Sequence, residues 1–158
     1  MTSRFLVVPA AYVFLMRPGA VGSSQQVLLQ LRTGTGYMDD HWAAAAGHVE
    51  RGESVFAAAA REAAEEIGVR DVDLVPLCAM HRTGEGDPID ERVDFFFAAT
   101  SWSGQPRILE PARCADLGWF PLDDLPEPVV PHELAVLDAV RAGAVPPILA
   151  HGFEGHDL

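Results

Sequence analysis

The stretch from Ser54 to Ile67 leaves the backbone one regular choice. Ala57–Ala60 and Ala63–Ala64 are strong helix formers, and neither Pro nor Gly interrupts them. Ser54 is placed to cap the first turn, and Gly68 stands where a helix ends in left-handed backbone. The spacing predicts a helix over Ser54–Ile67. Phe56, Ala60, Ala63 and Ile67 recur at i, i+4, i+7 and i+11. That is one apolar stripe at helical period, and it needs a surface to cover it.

The surrounding segments supply that surface as strands. Phe5–Met16 is rich in Val, Phe, Tyr and Leu, and Pro9 marks a bulge or an edge. Val27–Arg32 is a second strand, expected to pair with the first as a hairpin across the Gly- and Pro-containing loop Arg17–Ser24. Thr33–Asp40 reads as a loop, and Trp42–Ala46 as a short apolar stretch ending at Gly47. Val72–Thr83 and Arg92–Thr100 read as long strands joined by a turn at Gly84–Asp90. Leu117–Leu122 is a further strand. His132–Ala142 reads as a second helix with Leu134, Leu137 and Val140 on its core face. Gly143–Leu158 holds Pro146, Pro147, Gly152 and Gly155 and is expected to be partly disordered. No internal repeat or linker divides the chain, so one domain over residues 1–158 is expected.

The first helix has a second face. Glu62, Glu65 and Glu66 stand at i, i+3 and i+4, so they project together, nearly opposite the apolar stripe at 100° per residue. Three adjacent carboxylates repel one another, which makes the face either a solvated acidic surface or a seat for a cation. Hard oxygen ligands suit Mg²⁺, or Mn²⁺ as a substitute, rather than zinc.

Around those glutamates the chain reads Gly47-x5-Glu53-x7-Arg61-Glu62-Ala63-Ala64-Glu65-Glu66-Ile67-Gly68-Val69, a span of 23 residues. This resembles the signature of the Nudix hydrolases at all seven of its fixed positions. An aromatic residue before the loop, here Trp42, extends the resemblance. Trp102-Ser103-Gly104-Gln105-Pro106-Arg107-Ile108-Leu109-Glu110 resembles the bacterial oxidised-nucleotide sanitising branch. Glu110-Pro111-Ala112-Arg113-Cys114 and Trp119–Pro126 look like the eukaryotic nucleotide-triphosphate branch. One departure is plain: Ala44-Ala45-Ala46-Gly47 stands where relatives commonly carry Leu-Pro-Gly-Gly or Leu-Pro-Ala-Gly, so the stiffening Pro is absent.

The resemblance implies an α/β fold, a Nudix-type α/β/α sandwich with a mixed β-sheet and the two helices on opposite sides. It implies a Mg²⁺-dependent pyrophosphohydrolase cleaving a nucleoside diphosphate linked to another group. A nucleoside triphosphate is the first reading. ADP-ribose or a nucleotide sugar is an alternative, as is a non-catalytic nucleotide-binding module. Glu62 and Glu66 are implied as core metal ligands, Glu65 as a supporting one, and the Gly47 carbonyl as a further ligand. Glu53 is implied nearby as a base or an orienting group. Arg61, at i, i+4 to Glu65, either fixes carboxylate geometry or is an ordinary helix ion pair. Glu110 is a candidate ligand from a separate loop, or a solvated acid. Tyr37, Trp42 and Phe97 are candidates for stacking on a base, or core aromatics. His48 reads as a solvated loop histidine.

Charge narrows the partners. Eleven Lys+Arg stand against 23 Asp+Glu, a formal net charge of −12. Such a surface repels duplex nucleic acid and anionic membranes, but a small phosphorylated substrate can still bind through a cation. Cys78 and Cys114 are too few and too far apart for a zinc or redox motif and are expected as buried thiols. Phe5–Met16 is too short to cross a bilayer and no secretory cleavage pattern precedes it, so the cytoplasm is the expected compartment. A homodimer is an expected assembly from the family resemblance.

Overall fold

The computed structural model describes residues 2–84 and 88–153. The elements, in chain order, are β1 (Val8–Arg17), β2 (Gln26–Arg32), β3 (Trp42–Ala43), β4 (Ala45–His48), α1 (Val55–Ile67) and β5 (Leu74–Arg82). A 3₁₀ turn at Pro88–Asp90 follows, then β6 (Arg92–Ala99), β7 (Cys114–Pro121), α2 (Pro131–Ala142) and β8 (Ile148–His151). Among the described residues no helix is long and apolar enough to cross a membrane.

The sheet is mixed and β1 is its hub. β1 runs parallel to β6 from Val8↔Arg92 to Leu15↔Ala99, and β6 pairs antiparallel with β5. A strand flanked on both edges and both faces needs apolar residues throughout, and Ala10–Met16 is buried without a break. Alternation then sorts its side chains into two cores. Ala10, Tyr12, Phe14 and Met16 pack with Val136 and Leu137 of α2. Ala11, Val13 and Leu15 pack with Ala58, Ala59, Ala63 and Ile67 of α1. The two helices therefore cover opposite faces, and the α/β/α sandwich is as expected.

Three local expectations are corrected. The β1–β2 hairpin survives only at Met16↔Val27 and Arg17↔Gln26. Beyond those pairs the strands diverge: β4 takes the edge of β1 from Ala10↔His48 to Val13↔Ala45, and β2 pairs with β7. The tail is not all irregular, because β8 adds parallel to β5 from Ala79↔Ile148 to Arg82↔His151. Residues 154–158 of that tail, and 85–87 of the expected Gly84–Asp90 turn, lie outside the described residues. The apolar stripe of α1 is also rotated. Ala63 and Ile67 are buried as expected, but Phe56 is 49% exposed and tilts against Phe97, while Ala58, Ala59 and Glu62 are buried instead. Small alanines let α1 approach the sheet closely on that side, which brings Glu62 with it.

The ends of α1 form as the sequence predicts. Ser54 Oγ accepts from the Ala57 N–H at 3.1 Å, and Gly68 closes the helix at φ 73° with its N–H on the Ala63 and Ala64 carbonyls. Both thiols are buried. Leu137 of α2 is buried as expected, while Leu134 and Val140 are only partly so; the buried face runs through His132, Glu133, Val136 and Leu137.

Candidate active site

A cleft of about 600 Å³ opens where β1 and β2 diverge, lined from β1 by Ala10 and Tyr12 and from β2 by Gln30 and Arg32. The chain crosses this gap at Ala44, between β3 on one ladder and β4 on the other. There its backbone groups are held by side chains: the Ala44 N–H donates to Glu133 Oε1 at 2.7 Å, and the Ala44 carbonyl accepts from Gln30 Nε2 at 3.2 Å. This arrangement carries the Ala44–Gly47 turn without the family's proline.

Gly47 lies against α1. A Cβ added there would fall on the carboxylate of Glu62, so no larger residue fits without moving that group. Arg61 organises what surrounds it. Its Nη1 donates to Glu62 Oε1 at 2.7 Å and to Glu65 Oε2 at 3.3 Å. Its Nε and Nη2 grip both oxygens of Glu53 at 3.1 and 2.7 Å, and Nη2 also reaches the His48 carbonyl at 3.0 Å. Glu53 Oε1 further accepts from the Glu50 N–H at 2.8 Å. The bonds from Arg61, then that backbone bond, hold the Glu53 carboxyl below its ordinary pKa.

Glu66 is half-buried on the sheet side of α1, where its Oε2 accepts from Gln30 Nε2 at 2.6 Å and the Ala46 N–H at 3.1 Å. Burial outweighs those bonds and pushes its carboxyl up to about 7, with Glu62 and Glu110 adding repulsion. Glu62, 9% exposed, is also raised, chiefly by burial and against the pull of Arg61. Glu110 arrives from a separate loop. The chain from Trp102 crosses the C-terminus of α1, where the Arg107 N–H donates to the Ile67 carbonyl and the Leu109 N–H to that of Glu66. Glu110 follows at once and lines the cleft.

The structure thus brings Gly47, Arg61, Glu62, Glu65, Glu66 and Glu110 to one end of the cleft, with Glu53 behind Arg61. The three helix glutamates do not form one exposed face, as the sequence suggests. Glu62 and Glu66 are drawn inward, and Glu65 stays at the rim. Among the described residues no three His, Cys, Asp or Glu side chains converge on one point. Glu62 is turned to Arg61, and Glu66 to Gln30 and Ala46. The donor chemistry nevertheless fits a hard divalent cation: buried and half-buried carboxylates with raised pKa, repelling one another, beside a glycine with no room for a Cβ.

Of the aromatic candidates only Tyr37 lines the cleft, 42% exposed. Phe97, 2% exposed, belongs to the core under α1, and Trp42 packs edge-on against Phe120. Neither is placed to stack on a base, because alternation along their strands turns both rings into apolar layers. His48 is a cleft residue rather than a free loop histidine: its Nε2 accepts from Arg92 Nη1 at 2.8 Å, and burial followed by Arg92 lowers its pKa.

A second group of cleft residues carries no motif. Arg82 Nε donates to Asp94 Oδ2 at 2.7 Å in a buried pair. The Tyr12 hydroxyl accepts from Arg82 Nη2 at 3.4 Å and lies 3.2 Å from His132 Nε2. Burial, reinforced by Arg82, depresses His132 to about 2, so its ring is neutral beside the Tyr12 hydroxyl. Glu133, wholly buried, is raised to about 8 by desolvation. A Glu in the first turn of a helix reads as a dipole complement, and an Arg facing an Asp twelve residues away reads as nothing, so the sequence held no signal for these groups.

The NUDIX domain profile matches residues 7–140. The chain belongs to the Nudix family. As a Nudix hydrolase it acts on acid anhydrides, and members of the family generally use a divalent metal, typically Mg²⁺. A MutT NUDIX hydrolase from Burkholderia pseudomallei superposes with a TM-score of 0.75 at 29% identity, over 85% of this chain and 98% of that one. The NUDIX domain of Shewanella oneidensis NrtR, crystallised with ADP ribose, gives 0.71 at 19% identity, over 87% of this chain and 88% of that one. An Ap4A hydrolase from C. elegans gives 0.62 at 21% identity, over 85% and 96%; these last two likenesses concern the fold alone. A search of curated proteins finds no match.

Gly47 yields a direct prediction for this Nudix site. Gly47→Ala forces Glu62 aside, since the new methyl and the carboxylate claim one volume. Only the end of a flexible side chain has to move, so the fold loses little stability, whereas displacement of that carboxylate should lower kcat/KM by about tenfold or more. Steady-state kinetics alongside thermal unfolding check it; wild-type kcat/KM would show that Glu62 does not need its present position.

Proposed function

We propose that the chain is a Mg²⁺-dependent pyrophosphohydrolase that cleaves a nucleoside diphosphate linked to another group, with a nucleoside triphosphate as the first substrate. The observation that carries this reading is the pair of carboxylates, buried Glu62 and half-buried Glu66, whose pKa values desolvation raises, lining a cleft large enough for a nucleotide. The choice of a triphosphate over ADP-ribose is supported by the resemblance of the segments Trp102–Glu110 and Trp119–Pro126 to the nucleotide-triphosphate branches.

In this reading Glu62 and Glu66 hold the cation, Glu65 and Glu110 support it from the rim, and the Gly47 carbonyl completes the set. When bound, a divalent cation neutralises the diphosphate and makes water at the site more acidic. Arg61 sets the orientation of Glu62 and Glu65 and is itself anchored by Glu53. Glu53, its carboxylate gripped at both oxygens and its pKa lowered, is an orienting group rather than a base. Tyr37 is the aromatic wall available to a base.

The test is phosphate and pyrophosphate release from a panel of nucleoside triphosphates, ADP-ribose, nucleotide sugars and Ap4A, with and without Mg²⁺. Metal-dependent release of pyrophosphate from a triphosphate is the expected result. Tight nucleotide binding with no turnover on any member would establish the non-catalytic alternative instead.

A further inference from the structure

The cleft has a second pole. The chain contains no lysine; all eleven of its cationic side chains are arginine, in a protein of net charge −12. Five of them, Arg32, Arg61, Arg82, Arg92 and Arg113, line this one cleft. Arg61 is committed to the carboxylates. The other four form no ion pair with those glutamates. Among the described residues Arg32, Arg92 and Arg113 form no ion pair, although acids outnumber bases two to one. Unpaired cations in an acidic protein, gathered in a concave site, are a binding surface for an anion.

Three of the four are braced, and the fourth, Arg113, is exposed at the rim. Arg82 is side-chain buried, and its Nε is locked on Asp94, which is 0% exposed. That bond leaves the terminal nitrogens of the fork with only long contacts, 3.4 Å to the Tyr12 hydroxyl and 3.5 Å to that of Tyr37. A guanidinium held at Nε with Nη1 and Nη2 weakly engaged is set to take an oxyanion in two parallel bonds. Arg92 is braced by the Ile89 carbonyl at 2.6 Å and by His48 at 2.8 Å. Arg32 is braced by the Tyr37 carbonyl and Thr35 Oγ1 at 2.9 and 3.0 Å.

Position separates Arg82 and Arg92 from the carboxylates, with Arg32, two residues from Gln30, and Arg113, three from Glu110, between the two ends. Glu66 is bonded to β4, whereas Asp94 and Arg92 lie on β6, with β1 between. Two strand intervals are about 10 Å. That exceeds the reach of the diphosphate held at the glutamates.

We propose that Arg32, Arg82, Arg92 and Arg113 form an oxyanion subsite for a further phosphate of the substrate, so that the protein selects substrates bearing a phosphate beyond the diphosphate at the carboxylates. This rests on the reading of the cleft as a phosphoanhydride-hydrolysing site. The phosphate comes from one of two sources, the distal end of a polyphosphate chain or a phosphomonoester on the nucleoside.

Matched pairs at saturating Mg²⁺ distinguish them: GTP against GDP for the chain end, NADP⁺ against NAD⁺ for the phosphomonoester. In at least one pair the member with the extra phosphate is hydrolysed with a kcat/KM at least about tenfold higher. Arg92→Gln and Arg113→Gln, both in exposed or half-exposed positions, shrink that advantage through KM. Arg82→Gln, checked by melting because it orphans Asp94, does so most. Equal kcat/KM within both pairs, or an advantage that survives the arginine variants, overturns the proposal. If no member is hydrolysed, the hydrolase reading fails and binding decides the subsite. Calorimetry in EDTA then compares GTP with GMP and adenosine 2′,5′-bisphosphate with AMP. Tenfold tighter binding of a phosphate-rich member, lost in Arg92→Gln, upholds the subsite; equal affinities overturn it.

Discussion

Glu66→Gln lowers turnover by about 10²–10⁴-fold at saturating Mg²⁺ while leaving the fold intact. The isostere keeps the volume, and its amide oxygen can still accept from Gln30 and the Ala46 N–H, the two bonds that fix Glu66. What is lost is a negative charge at the cation seat, an electrostatic contribution of about 3–5 kcal/mol at about 1.4 kcal/mol per tenfold. Glu62→Gln acts in the same direction and also removes the acceptor of Arg61 Nη1. Pre-steady-state and steady-state hydrolysis of the best triphosphate, with circular dichroism as the control on folding, measure this. Turnover within threefold of wild type in either variant would remove these glutamates from the reaction.

The second large effect is the response of stability to Mg²⁺ and pH. Glu66 is raised to about 7 and Glu62 is raised as well, each chiefly by burial. A carboxyl whose folded pKa lies above its unfolded value binds more protons in the native state across that interval. Its contribution to stability is therefore present at pH 4.5 and is lost as pH rises through 7. Metal-free protein should lose stability from these groups in that window, which is where both carboxylates become charged and able to bind a cation. Mg²⁺ at about 100 times its Kd then returns about 2.7 kcal/mol by mass action. For a chain of this length that corresponds to a rise of about 5–10 °C in Tm. At pH 5.5 the rise should fall below half of its value at pH 8, because protonated carboxyls are poor ligands. Glu66→Gln should blunt the rise at pH 8 and raise the Tm of the metal-free protein, since it removes a half-buried charge. Differential scanning fluorimetry of chelator-stripped protein at the two pH values tests both. An unchanged Tm at pH 8 would mean that the acidic end of the cleft holds no cation.

The tests differ in what they can fail on. The glutamate variants and the Mg²⁺ response address the acidic pole, and the arginine variants address the basic one. Loss of substrate discrimination in Arg92→Gln with full Mg²⁺ stabilisation would separate the two poles cleanly.

Much of the scaffold was legible because its signals are local. Ser54, the alanine run and Gly68 specify α1 within fifteen residues, since capping, propensity and a left-handed C-terminus act on neighbours in the chain. The β-forming run Phe5–Met16 marks a strand for the same reason, but Pro9 pointed to a bulge or an edge, and only the pairing of β1 with β4 and β6 makes it central. The spacing from Gly47 to Gly68 identifies the acidic pole because a helix at 3.6 residues per turn converts sequence interval into direction. The rotation of α1 was not legible. Phe56 has the greater hydrophobicity, but the alanine side packs closer to the sheet, and only the facing surface decides between them. Nor was the fate of Trp42 and Phe97, whose burial depends on what α1 and β7 place over them. The divergence of β1 from β2 depends on β4 and β7 competing for their edges.

By itself the sequence determined both helices and most of the strands, which follow from periodicity and nearest-neighbour chemistry, while the two-sided sandwich and the glutamate end of the cleft came from the resemblance that the Gly47–Val69 spacing carries. Only the tertiary structure decided that Glu133 would hold the Ala44 turn, that Asp94 would lock Arg82, and that four arginines from β2, β5, β6 and the segment before β7 would share one cleft with the glutamates. Those residues lie far apart in the chain. What joins them is the pairing of β1 with β4 and β6, a long-range choice made by burial of apolar surface and not written at any single position.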